Sequence, residues 1–208
     1  MRWPMSGGAL QRFRQSMDID YEKWHDGVGY DLEAIDAFDD RDRREAEKLL
    51  VPRAAQDWRD LEALDRLGTP RAVDAILKTR KHKNPETRLR AHDYGPPPTQ
   101  AEWDAVLTYA WPHVEPYSGL TLAKRCSMEH PSQAVVAAVW KQVREPSVNA
   151  YHAAETLCLI AGIIPHEYDF TYREIYLRLN GPRTDDRDLA VAQVEALCRD
   201  GLARYVRG

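Results

Sequence analysis

The chain has 208 residues, 43% hydrophobic and 30% charged, with a formal net charge of -4. That length supports a domain with a real core, and the mild negative balance excludes a protein that grips nucleic acid through global positive charge. Cys126, Cys158 and Cys198 lie far apart and are odd in number, which excludes a disulfide framework and a zinc ribbon and predicts reduced thiols.

The stretch Met1–Gly8 lacks a long apolar region before a cleavage site, so no secretory signal is expected. The longest uncharged apolar run, Thr156 to Ile164, is too short to span a membrane, and a cytoplasmic location follows as the expectation. Residues 17–31 place Trp and Tyr among carboxylates. Aromatic anchors beside acids suit a basic partner, so Trp24, Asp26, Tyr30 and Asp31 are the candidate partner-binding residues. The competing reading makes them a cap on the first helix pair, with Gly27 and Gly29 permitting the turn.

From Asp18 to Arg66 there are 16 acidic and 8 basic residues, a net of -8; from Lys78 to His92 six Lys/Arg face one Glu, a net of +5. Helix punctuation is regular through this region. Asp57 caps a helix over 58–67 that Gly68 closes, and Thr69-Pro70 opens the next. Asn84-Pro85 repeats that signal, with Gly95 as the stop. Pro96-Pro97-Pro98 is a stiff break, and Thr99 with Glu102 fits a capping box. His130-Pro131 and Glu145-Pro146 read as further helix starts, Gly162 as a stop, and Thr184 as the cap of a last helix over 185–200 ended by Gly201. No segment alternates with the period of a strand.

Pro85, Pro116 and Pro146 are 31 and 30 residues apart, and Pro70 and Pro131 are 61 apart. Paired short helices at a fixed period of about 30 residues mark a solenoid, in which stacked neighbours supply the core that no single pair can build. The predicted repeats are 40–68, 69–95, 99–129 and 130–162, with an N-terminal cap over 1–39 and a C-terminal cap over 163–208. The expected fold is therefore all-α, a single domain over 1–208 built as a short right-handed α-solenoid.

The segments 61–76 (Leu61-Glu62-Ala63-Leu64 onward through Gly68-Thr69-Pro70) and 84–91 (Asn84-Pro85-Glu86-Thr87-Arg88) resemble HEAT-like repeats. Residues 24–32, 151–155 and 168–170 extend the resemblance to a group of bacterial HEAT-repeat proteins. Members of that group look like immunity proteins of polymorphic toxins. The resemblance implies a non-enzymatic protein that binds a cognate toxin and occludes its active site.

Other constellations are thinner. Cys126 with His130 and His152 with Glu155 each supply two ligands where a closed metal site needs four, so no metal and no cofactor is expected. No phosphate loop, Gly-x-Ser-x-Gly elbow or His-Glu-x-x-His occurs. The run Lys78-Thr79-Arg80-Lys81-His82-Lys83 is the alternative's only support: HEAT-like alkylpurine DNA glycosylases share the architecture and read DNA on a basic surface. Here the run falls at a helix end, where cations suit the helix dipole. A third class with the same repeat, the phycobilin lyases, finds no supporting residue.

Overall fold

The computed structural model describes residues 7–116 and 118–206. The first six residues, including most of the stretch read above as lacking a signal, lie outside the described residues. The described residues form α-helices, turns and one short 3-10 segment, with no strand. In chain order the helices are α1 (Gly7–Ser16), α2 (Tyr21–His25), α3 (Leu32–Asp36), α4 (Asp40–Leu50), α5 (Trp58–Leu67), α6 (Pro70–Thr79) and α7 (Pro85–His92). They continue as α8 (Gln100–Ala110), α9 (Ser118–Glu129), α10 (Gln133–Arg144), α11 (Ala150–Ile160), α12 (Arg173–Leu179), α13 (Thr184–Cys198) and α14 (Ala203–Val206). The segments 40–68, 69–95, 99–129 and 130–162 each hold one successive pair from α4 to α11.

Local chemistry sets most boundaries. Asp57, Thr69 and Asn84 each accept a hydrogen bond from a first-turn amide, satisfying a donor that the helix itself leaves unpaired. Thr99 and Glu102 close the capping box in both directions. Gly68, Gly95 and Gly162 all take positive φ, the conformation that lets a chain leave a helix without a Cβ clash. Three starts differ from the sequence reading. After His130-Pro131 the capping side chain is Ser132, so α10 begins at Gln133. Glu145-Pro146 opens a turn, and α11 begins only at Ala150. Thr184 is the first residue of α13, and Arg183 precedes it without a side-chain cap.

The chain divides into two compact units, 1–97 and 98–208, and the division falls within the proline run. The first unit has its own hydrophobic core, in which Phe13, Ile35, Leu50, Leu61, Leu64 and Ile76 are fully buried or nearly so. Phe13 meets Tyr30 and Phe38 edge-on at ring-centroid distances of 5.9 and 5.7 Å. In the second unit α8 packs on α9 and α10, and α11 packs on α9, α10, α12 and α13. Leu107, Trp111, Val135, Val139, Leu157 and Tyr176 are buried there. The three cysteines are free and buried, and Cys158 Sγ lies 3.5 Å from Cys198 Sγ.

Polar links recur near one spacing within each unit. In the first, Arg66 pairs with Asp36, Tyr30 donates to Asp60, and the Gly95 amide donates to Asp65, each 30 residues apart. In the second, Gln100 bonds the His130 carbonyl 30 residues on, and Lys124 bonds Glu155 31 residues on. Residues about 30 positions apart in sequence therefore meet within each unit.

Candidate functional sites, one in each unit

In the first unit the sequence candidates separate. Trp24 (62% exposed) and Asp26 stand in solvent, joined there by Tyr21 (74% exposed), whose ring centroid is 6.1 Å from that of Trp24. No residue of α2 is buried. Asp20 caps this helix through the Lys23 amide, and Lys23 Nζ donates to the Asp18 carbonyl, so five residues hold two large rings without help from the core. Tyr30 belongs to the interior instead. Its hydroxyl donates to Asp60 at 3.2 Å, and burial together with the Asp60 charge pushes its pKa up to about 12. Asp31 has a structural task as well: it caps α3 through the Ala34 amide and pairs with Arg12 at 2.8 Å. Hydrogen bonding to Arg12 holds its carboxyl below the ordinary range.

The basic run is largely committed within the fold. Arg80 is buried and donates to the carbonyls of Ala91, Tyr94 and Pro96. Arg88 donates to the Arg80 carbonyl, Lys78 pairs with Asp74, and Arg90 pairs with Glu86. Lys81 and Lys83 are exposed at this turn. The arginine fork thus fastens the end of α6 to the segment after α7, which a run of letters does not reveal.

In the second unit a cleft of about 630 Å³ opens between α9, α11 and α12, a size that suits a small ligand or a side chain of a partner. Its walls are Leu120, Val148, Tyr151, Tyr168, Phe170 and Leu177. Its floor is a buried ion pair, Lys124 Nζ to Glu155 Oε2 at 2.7 Å, with Glu167 a further 3.7 Å from the same ammonium. His152 Nδ1 lies 3.7 Å from Glu155, beyond hydrogen-bond reach, and is buried without a partner. Burial acts to raise the Glu155 pKa, but the Lys124 ammonium, by hydrogen bond and by charge, and the Tyr168 amide outweigh it and hold the carboxyl below its ordinary range. Tyr168 has φ of 65°, the left-handed region that bulky side chains rarely adopt.

Searches of protein-family models, of curated proteins and of solved structures return no match to this chain.

The chemistry of the two sites therefore rests on their own residues. Of the weighed ligand pairs, Cys126 is buried and His130 stacks on Trp103 at a ring-centroid distance of 4.1 Å. His152 and Glu155 face one another in the cleft. Among the described residues no three His, Cys, Asp or Glu side chains are grouped to hold a metal ion. Lys124, Tyr168 and Phe170 were not singled out as site residues by the sequence reading. One signal for them was present: Leu120, Thr121 and Lys124 precede Tyr151, His152 and Glu155 by 31 residues each, so the repeat register sets a cation opposite a carboxylate. Each trio has the i, i+1, i+4 spacing that lines one side of a helix.

Proposed function

We propose that the chain is a non-enzymatic, protein-binding scaffold: a short right-handed α-solenoid of HEAT-like helix pairs whose α2 patch seats a basic protein partner. The observation that carries this reading is that α2 contributes nothing to the core while keeping Trp24 and Tyr21 exposed. Rigid aromatics bury large contact area at small entropic cost, which makes them interface anchors. Asp18, Asp20, Glu22 and Asp26 surround them against one Lys and one His, so the attraction is for positive charge. The recurring 30-residue links support the solenoid. The specific form implied by the resemblance is an immunity protein in the cytoplasm, covering the active site of a cognate toxin that is drawn in by opposite charge. The alternative, nucleic-acid binding of the alkylpurine glycosylase type, has to rely on a basic turn whose arginines are already engaged.

The test is co-purification with the product of the adjacent gene, followed by binding kinetics of two variants. Trp24→Ala is expected to weaken affinity by about thirtyfold, the loss of about 2 kcal/mol typical of a desolvated anchor, with an unchanged melting temperature. Asp26→Lys is expected to slow association more than it speeds dissociation. Full affinity in both variants removes α2 from the interface, and submicromolar DNA binding at physiological salt favours the alternative.

A further inference from the structure

We infer that the cleft of the second unit is a binding site for a guanidinium or ammonium group, presented on the arginine or lysine side chain of a partner polypeptide. The inference does not rest on the α2 patch, which belongs to the other unit.

The exposed carboxylate sets the sign of the ligand. Lys124 already donates to Glu155 and lies 3.7 Å from Glu167; the His152 ring also lines the cleft, and the Arg173 guanidinium stands over Phe170 at the rim. An anion entering the cleft would meet both carboxylates, whereas a cation would reach Glu167, the more exposed of the two and the one farther from Lys124. The rim is the second argument. Val148, Tyr168, Phe170 and Leu177 are four of the nine large hydrophobic residues that stand exposed on the described surface, and all four border this one cleft. Aromatic faces around a carboxylate are the composition that attracts organic cations, because the ring quadrupole presents negative charge above its plane. Phe170 already serves in this way: the Arg173 guanidinium sits 5.5 Å from its centroid. Tyr168 supplies the third argument. The chain accepts a left-handed residue there, yet the ring is 76% exposed and gains no burial in return. Its amide donates to Glu155 Oε1 at 3.3 Å, so the strained residue ties the mouth of the cleft to its floor and leaves the ring at the opening.

The shape selects a side chain over a small free amine. Arginine and lysine carry apolar stems that lie along apolar walls while the head reaches a carboxylate. A lone ammonium would leave Val148 and Leu177 uncovered.

The experiment uses isotope-labelled full-length protein and three probes: a hexa-arginine peptide, the matching hexa-citrulline peptide and N-acetyl-arginine amide. Hexa-arginine is expected to shift the amide signals of residues 151–155 and 167–170, and hexa-citrulline, of the same shape without the charge, is expected not to. Glu167→Gln and Phe170→Ala should each weaken hexa-arginine binding at these signals by about fivefold or more, the range of a carboxylate or a ring acting on one cation. Both side chains lie at the surface of the cleft, and an unchanged melting temperature verifies that each variant folds. Silent cleft signals, equal binding of hexa-citrulline, or full affinity in both variants would each overturn the inference. N-acetyl-arginine amide binding as tightly as the peptide would overturn the polypeptide source and leave a small cation as the ligand. Shifts confined to residues 18–31 would overturn the cleft while sparing the α2 reading; shifts confined to the cleft would do the reverse.

Discussion

Lys124 and Glu155 are both nearly inaccessible to water, and that makes them costly. Two charges taken out of solvent regain their hydration only if their geometry is good, and removing one partner strands the other. Here Lys124 and the Tyr168 amide satisfy both oxygens of Glu155, and the carboxyl titrates at about 2 in place of the ordinary 4.5. A carboxyl whose folded pKa is depressed contributes stability that is present above its unfolded pKa and lost as pH falls through the folded one. That contribution is lost as pH falls from about 4.5 toward about 2. Asp60 in the first unit has the opposite sign. Burial pushes it up to about 6 despite Arg53 and Tyr30, so ionising it opposes folding as pH rises from 3.8 to about 6. Denaturant titrations across pH 2–7 (a range on the order set by these two carboxyls) should show Glu155→Gln flattening the acid limb. The same variant should lose about 1–3 kcal/mol at neutral pH, because it takes the nearer carboxylate from a buried ammonium and leaves it Glu167 at 3.7 Å. The double variant Lys124→Met, Glu155→Leu should recover most of that loss. An acid limb unaltered by Glu155→Gln would mean that the pair is not closed in solution.

At the scale of elements, helix starts were legible where the cap and the first apolar turn are adjacent in sequence, as at Asp57, Thr69, Asn84 and Thr99. They were misplaced where a proline precedes its capping residue. Pro131 comes before Ser132, which caps α10, and Pro146 opens a turn that Ser147 fastens to Gln142. The site residues divide on the same physical line. The sequence left Trp24 open between an exposed anchor and a cover for the first helix pair, and the structure leaves it 62% exposed. The burial of Tyr30 depends on Phe13 and Asp60, 17 and 30 residues away, which no local pattern encodes. Gly201 is another long-range case. It reads as a helix stop, but a Cβ there would lie 2.2 Å from the carbonyl oxygen of Ala161, so the glycine is needed for the approach of the α13 end to the α11 end. Gly201→Ala is expected to cost about 1–3 kcal/mol through forced backbone movement. Gly8→Ala, within α1 and with nothing inside 4 Å of the added atom, should stabilise by about 0.5–1 kcal/mol through lower backbone entropy in the unfolded chain. Thermal melts of the two variants decide the matter, and equal melting temperatures would contradict the close approach.

For the whole molecule the open question is cooperativity. A solenoid is stabilised by each repeat's own contacts and by those with its neighbours, so in the simplest case it melts as one array. The contact pattern instead divides the chain at residues 97 and 98, inside Pro96-Pro97-Pro98, and the first unit closes a core of its own from Leu10 to Ala91. Proline-rich stretches are stiff and donate no backbone hydrogen bonds, so a break there loses little helical structure. The fragments 1–97 and 98–208 are each expected to be helical by circular dichroism and to unfold with a sigmoidal transition. Each carries its own fluorescence reporters, Trp3, Trp24 and Trp58 in the first and Trp103, Trp111 and Trp140 in the second. Function is expected to divide along the same line: 1–97 should keep the Trp24-dependent interaction, and 98–208 should keep the arginine-dependent shifts at residues 151–155. A melting temperature in the intact chain several degrees above both fragments, about 1 kcal/mol or more of mutual support, would mean that the repeats also stabilise one another across residue 97, as the solenoid reading requires. Identical fragment and full-length transitions would leave two independent units joined by a rod of prolines. A fragment that fails to unfold cooperatively would show that 1–208 is one indivisible domain, and the two binding surfaces would then have to be tested only in the intact chain.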